Sequence, residues 1–325
     1  MTLAASYSRT RMRLLIRALA VAVALCLMPR PMLGWGNEGH MAINRVAAAK
    51  MPAAMPAFLA GAVDRLEYLG PEPDRWRQRD EYALNRAQAP DHYIDLECVE
   101  GIELPPDRYA FYKLLYERRA AIAHGNPVPA RLAALGLKAD DLLPERVGTQ
   151  PYIVAEIFER LRGAFREYRR LKREHQPTAP VEENIVFYAG WLGHYVADAA
   201  NPLHTTVKGA GWIGPNPNGY TTDHNIHWRM ETEFVHHNLS QLGFADRVKA
   251  PVVLQDPWQD YLNYLWSSHA LVEQVYQLNK AGGFKGEGTA ESREFIRGRL
   301  AAGAQMLLNL WYTAWVQSGE PVSSL

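Results

Sequence analysis

Disulfides are all but excluded. The chain of 325 residues holds two cysteines, Cys26 and Cys98. Cys26 lies in a leader-like N-terminal stretch, so the remainder keeps one thiol and cannot cross-link itself through sulfur. Net charge is missing too, with 35 Lys and Arg against 35 Asp and Glu. Five of those Arg and none of the acids precede residue 35, so residues 35–325 carry −5. Such a chain offers no broad basic surface for gripping a duplex. Its leader-like apolar stretch, ALAVAVALCLM at 18–28, is about half the roughly 20 residues that span a bilayer. Alternating β-branched residues are scarce, which argues against sheets. There is no fixed-period repeat and no low-complexity segment.

The first residues read as a secretory signal. Arg9, Arg11, Arg13 and Arg17 precede the apolar stretch, and the small residue Gly34 follows it. Cleavage after Gly34 divides the chain into a leader, 1–34, and a mature domain, 35–325, that begins at Trp35. A periplasmic or extracellular location follows. Apolar residues at three- and four-residue steps predict helices over 40–51, 107–123, 151–175, 183–200, 260–281 and 291–318. Pro and Gly gather in 69–75, 124–150, 207–224 and 281–289, which predicts loops. No break resembles an interdomain linker. The expectation is one all-α domain with long functional loops, its tryptophans 191, 258, 266, 311 and 315 in the core.

What is present is histidine and carboxylate in apolar surroundings. In GWLGHYVADAANPLHTT, residues 190–206, His194 and Asp198 stand four apart and share a helix face. Pro202 cannot continue the helix, and the turn it forces can bring His204 back toward them. In HNIHWRME, His227 and Glu231 repeat the four-residue spacing. Buried imidazoles and carboxylates need partners, and a metal satisfies several at once. Nitrogen and oxygen ligands suit Zn²⁺. WGNEGH opens the mature chain at Trp35, whose freed α-amine, with a pKa near ~8, is a further ligand alongside His40. APDHYIDLE supplies His92, Tyr93 and Asp95 from an extended segment, and GPEPDRWRQR supplies Asp74 and Arg77. Asp64, Asp80 and Asp91 compete with Asp74 for the loop-ligand role. The bland reading of His124, His175, His236, His237 and His269 is surface or satisfied core; His224 lies close enough to His227 to compete as a ligand.

The ordered set WGxxGH, HYID, GHxxxDxxxPLH and NxHxxxE resembles the trinuclear zinc, single-strand-specific nucleases of fungi and plants. Bacterial zinc-dependent phospholipase C shares that fold. The motifs run from residue 35 to residue 231, about two thirds of the mature chain. The resemblance implies a single helical domain of that type and three zinc ions. Trp35 and His40 would hold one ion, and Asp74, His92 and His194 a second. His204, His227 and Glu231 would hold the third, with Asp198 bridging the first two. It also implies Asp74 and Arg77 as catalytic residues, with Tyr93 stacking on a base and Asp95 reading it. The expected substrates are single-stranded DNA or RNA and 3′-nucleotides, turned over by a monomer. Two further readings stand beside this one. Glu231 occupies a place where the nucleases have Asp and the phospholipases Glu, which keeps phospholipid head groups open, and Trp212 and Tyr220 look exposed enough to touch a base or a lipid. Closed structural zinc sites in a non-catalytic protein are the third reading.

Overall fold

Periodic apolar segments become the long helices, and the most apolar becomes the central one. The computed structural model describes residues 35–78 and 80–320, so the expected leader lies outside the described residues. The principal helices are α1 (Gly36–Ala49), α2 (Val63–Leu69), α3 (Tyr82–Gln88), α4 (Arg108–Ala123), α5 (Gln150–Arg173), α6 (Ala179–Ala200), α7 (Pro257–His269), α8 (Val272–Lys280) and α9 (Ala290–Gln317). No strand occurs among the described residues, and the fold is all-α. No helix among them is long and apolar enough to cross a membrane.

Local chemistry sets the starts. Asp107 and Asp256 cap α4 and α7 by accepting the backbone N–H of Ala110 and Gln259. Pro151, Pro180 and Pro257 sit in first turns, where the missing N–H costs nothing. The segment 260–281 is two helices rather than one, breaking at Ala270 and Leu271 without Pro or Gly. The break leaves His269 Nδ1 2.8 Å from the Thr205 carbonyl. The expected loops at 69–75 and 124–150 also hold short helices, Glu72–Arg75, Ala130–Ala134 and Pro144–Val147.

Helix α6 lies between α5, α9, α1 and α2. From Ala189 to Ala200 only Trp191 is not fully buried, as expected of a helix apolar on all sides. Trp311 is buried, and Trp191, Trp258, Trp266 and Trp315 are half-buried against the core. Glycine sets how closely α1 and α2 approach α6. A Cβ on Gly193 would overlap the Asn44 side chain, and one on Gly190 would overlap Leu69. Asn44 uses that closeness to donate to the carbonyls of Leu66 (2.9 Å) and Gly190 (3.0 Å), clamping the three helices. Gly193→Ala is therefore expected to cost about 1–3 kcal/mol through overpacking, read as a lower urea midpoint. An unchanged midpoint would mean that α1 can step back freely.

Candidate metal centre

Four segments meet at the C-terminal end of α6. His194 and Asp198 project from its last two turns. The 3-10 turn Pro202–His204 follows, with the Asn201 side chain accepting from Leu203 N, and it folds His204 back. His204 Nδ1 donates to the His92 carbonyl (2.7 Å), and Ile94 N donates to the His204 carbonyl (2.9 Å). The other flank of the 90–95 segment is held by residues 147–150. Asp95 N donates to Val147 O (2.7 Å), Thr149 N to Pro90 O (2.8 Å) and Gln150 N to Tyr93 O (3.2 Å). His92 thus ends a 3-10 turn, Ala89–His92, and does not sit in extended chain as expected. Pro90 favours the turn, and Asp91 points away because Arg108 and Thr149 both donate to it.

Three groups of buried ligand atoms result: His40, His194 and Asp198; Asp74, His92 and His194; and His204, His227 and Glu231. Within each, the atoms lie within 4.8 Å of one another, close enough to hold a metal ion. His40 Nε2 is 3.4 Å from Asp198 Oδ1, and His194 Nε2 is 3.4 Å from Asp198 Oδ2. Two ligands bound at about 2.1 Å in a tetrahedron are roughly 3.4 Å apart. His92 Nε2 and His194 Nε2 lie 3.7 and 4.0 Å from Asp74 Oδ1, and His204 Nε2 is 3.4 Å from Glu231 Oε2. Asp198 thus faces His40 and His194, and His194 also belongs to the second group, so this carboxylate stands between the first two groups; its 3.9 Å approach to His204 is to Nδ1, the nitrogen that donates to the His92 carbonyl. Glu231 sits in a π-helical turn, Arg229–Glu233, that interrupts the helical run from Ile226 to Asn238. Such turns are frequent at functional sites, and nothing in the spacing announced this one. Here the His227 and Glu231 side chains come within 2.8 Å.

The unpaired atoms carry the fit to a cation. Both oxygens of Asp74 and Asp198, both nitrogens of His40, and Nε2 of His92 and His194 are buried without a hydrogen-bond partner. The Nδ1 atoms of His92, His194 and His227 face the carbonyls of Gln88, Gly70 and Gly209. That turns Nε2 of each toward the neighbouring carboxylate, the usual way metal-binding rings are oriented. Without a cation, burial pushes Asp74 and Glu231 up to about 7 and Asp198 well above the carboxylate range. Burial depresses His227 to about 4, His92 to about 3, and His40 and His194 well below the ordinary value. Such a cluster favours neutral forms until positive charge enters it.

The remaining expected residues fall as follows. Trp35 is buried at the start of α1, its indole donating to Ala197 O (2.6 Å), next to Asp198. Arg77 Nη1 is 3.8 Å from Asp74 Oδ1. Among the rival acids, Asp64 pairs with Arg45 at the surface, Asp80 is exposed and Asp91 binds Arg108. Tyr93 is half-buried, its hydroxyl donating to Glu145 O (3.0 Å). Asp95 is half-buried too, and burial, with Glu97 and Asp141 nearby, pushes its carboxyl well above the usual range. His224 is exposed and joins no group. Tyr220 is buried, which overturns its expected exposure. It packs against Trp212 and Tyr276, Lys208 caps the Trp212 ring, and the 207–224 loop closes on itself. Asn201 was missed: it donates to Glu231 Oε2 (2.8 Å). Its one sequence signal was an Asn directly before the proline that ends an apolar helix. No family model matches the chain, and no curated protein does.

Proposed function

We propose that the protein is a secreted zinc-dependent phosphodiesterase that hydrolyses single-stranded nucleic acid and 3′-nucleotides. The observation that carries this reading is the burial of three ligand groups side by side, the first two sharing His194 beside Asp198, with the Arg77 guanidinium next to Asp74. His40, Asp74, His92, His194, Asp198, His204, His227 and Glu231 would hold three Zn²⁺, joined by the Trp35 amine once the leader is removed. Bound there, the ions supply Lewis acidity toward phosphoryl oxygens and acidify water near neutral pH. Arg77 binds phosphoryl oxygens. Asp74 orients water and accepts its proton. Tyr93, next in sequence to His92, offers a ring face that an unpaired base can stack on, worth about 1–3 kcal/mol. Asp95, whose carboxyl is pushed toward the protonated form, can donate to or accept from a base edge.

The expected result is turnover of denatured DNA, RNA and 3′-AMP, lost on chelation and restored by added zinc. Zinc bound at full occupancy without turnover of any phosphoester would overturn the enzyme reading in favour of structural sites. Glu231 is the one residue that favours phospholipid head groups instead; turnover of phosphatidylcholine without turnover of nucleic acid would select that reading.

A further inference from the structure

A groove lies near Tyr93, whose hydroxyl donates to the carbonyl of Glu145 in its wall. Its walls come from α3 and from residues 89–90 on one side and 143–146 on the other, and it encloses about 540 Å³. It joins the candidate site through backbone already described. Pro90 lines it and stands two residues before His92, while Glu145 lines it and accepts the Tyr93 hydroxyl. The pairing of 90–95 with 147–150 holds both walls at fixed separation.

Two side chains on α3 give the groove its chemistry. Tyr82 and Arg86 stand four apart, so they share the helix face that lines the groove. The Tyr82 ring is 71% exposed, far more than a lone aromatic that merely completes a core. Arg86 is exposed and has no carboxylate partner among the described residues, whereas Arg146 across the groove is held by Asp141 at 2.8 Å. An open aromatic face beside an unpaired guanidinium is the pairing that single-stranded nucleic acid uses, ring against base and cation against phosphate. A lipid contact would place Leu84 beside Tyr82, but Leu84 does not line the groove.

We propose that this groove binds the continuation of a single-stranded nucleic acid substrate. Tyr82 stacks a base beyond the one at Tyr93, and Arg86 contacts a backbone phosphate. The inference rests on the nuclease reading and goes beyond it, because it makes the protein prefer longer strands over dinucleotides.

The test compares an oligonucleotide of about eight residues with a dinucleotide of the same sequence, using metal-loaded protein. Tyr82→Ala and Arg86→Ala are each expected to lower the octamer-to-dinucleotide ratio of kcat/KM by about tenfold, within the range of one lost stacking contact. Arg86→Ala should also reduce the salt slope of octamer binding by about 0.7, the value for one phosphate contact on a single strand. Tyr109→Ala, an exposed tyrosine on α4, serves as the unaffected control. An unchanged ratio in both groove variants, while the unsubstituted protein cleaves both substrates, overturns the groove and leaves the nuclease reading standing. Failure of the unsubstituted protein to cleave either substrate overturns the nuclease reading itself. Loss of binding to phosphatidylcholine vesicles in Tyr82→Ala, with the octamer ratio intact, would assign the groove to lipid and overturn the proposal.

Discussion

Stripping the metal from the purified protein is expected to lower its melting temperature by about 10 °C or more. The reason lies in the buried groups. Three carboxyls and five imidazoles converge in a buried cluster, and neither oxygen of Asp74 or Asp198 has a hydrogen-bond partner. A single ion at a thousandfold excess over its dissociation constant contributes about 4 kcal/mol to the folded state. For a chain of this size each kcal/mol moves the midpoint by about 2–4 °C. Residues 35–325 hold a single cysteine, Cys98, so no disulfide among them takes up the loss. Rebinding of zinc at pH 7 should release protons, because burial holds Asp74 and Glu231 up to about 7 in the empty cluster. These groups bind protons more readily in the metal-free fold than in the unfolded chain, so metal affinity should weaken as pH falls below 7. Calorimetry in buffers of different ionisation enthalpy reads the proton release. An unchanged melting temperature after verified metal removal would show that the cluster is not a metal centre.

Asp198→Asn is the second large effect expected. The substitution keeps the shape of the side chain while removing the charge that faces His40 and His194, between the first two ligand groups. Zinc content should fall by at least one ion per chain, and hydrolysis should fall by more than about a hundredfold, beyond the 10–100-fold loss typical of an outer partner. Asn201→Ala is the matched comparison. It removes the hydrogen bond to Glu231 Oε2 while leaving every ligand side chain in place, and its loss should stay within about 10–100-fold. Metal analysis beside initial rates separates the two. Full zinc content and full rates in Asp198→Asn would refute the bridging assignment.

Much of the site was legible because its determinants are local. The four-residue spacings of His194 with Asp198 and of His227 with Glu231 need only helical geometry, and Pro202 announces the turn before His204. Asp74 was preferred to Asp64, Asp80 and Asp91 on its place after Pro73 and three residues before Arg77, and the structure groups it with His92 and His194 while Asp64 and Asp91 pair with arginines and Asp80 is exposed. The 3-10 turn at His92 was misread as extended chain, because its shape comes from backbone bonds to residues 147–150 and 204–205. Tyr220 looked exposed from its Gly- and Asn-rich surroundings, yet Trp212 and Tyr276 bury it. The break between α7 and α8 and the π turn at Glu231 carry no Pro or Gly.

The sequence by itself determined the all-α class, the positions of the long helices and the residue types that converge, because helical period and proline chemistry act over a few residues. Tertiary structure alone decided which acids face inward, how His40 and His194 come to share Asp198, and which aromatics stay open to solvent. Those outcomes depend on contacts between segments up to 158 positions apart, such as His40 and Asp198. Packing and backbone pairing across such separations are set by the whole fold rather than by any local run of residues.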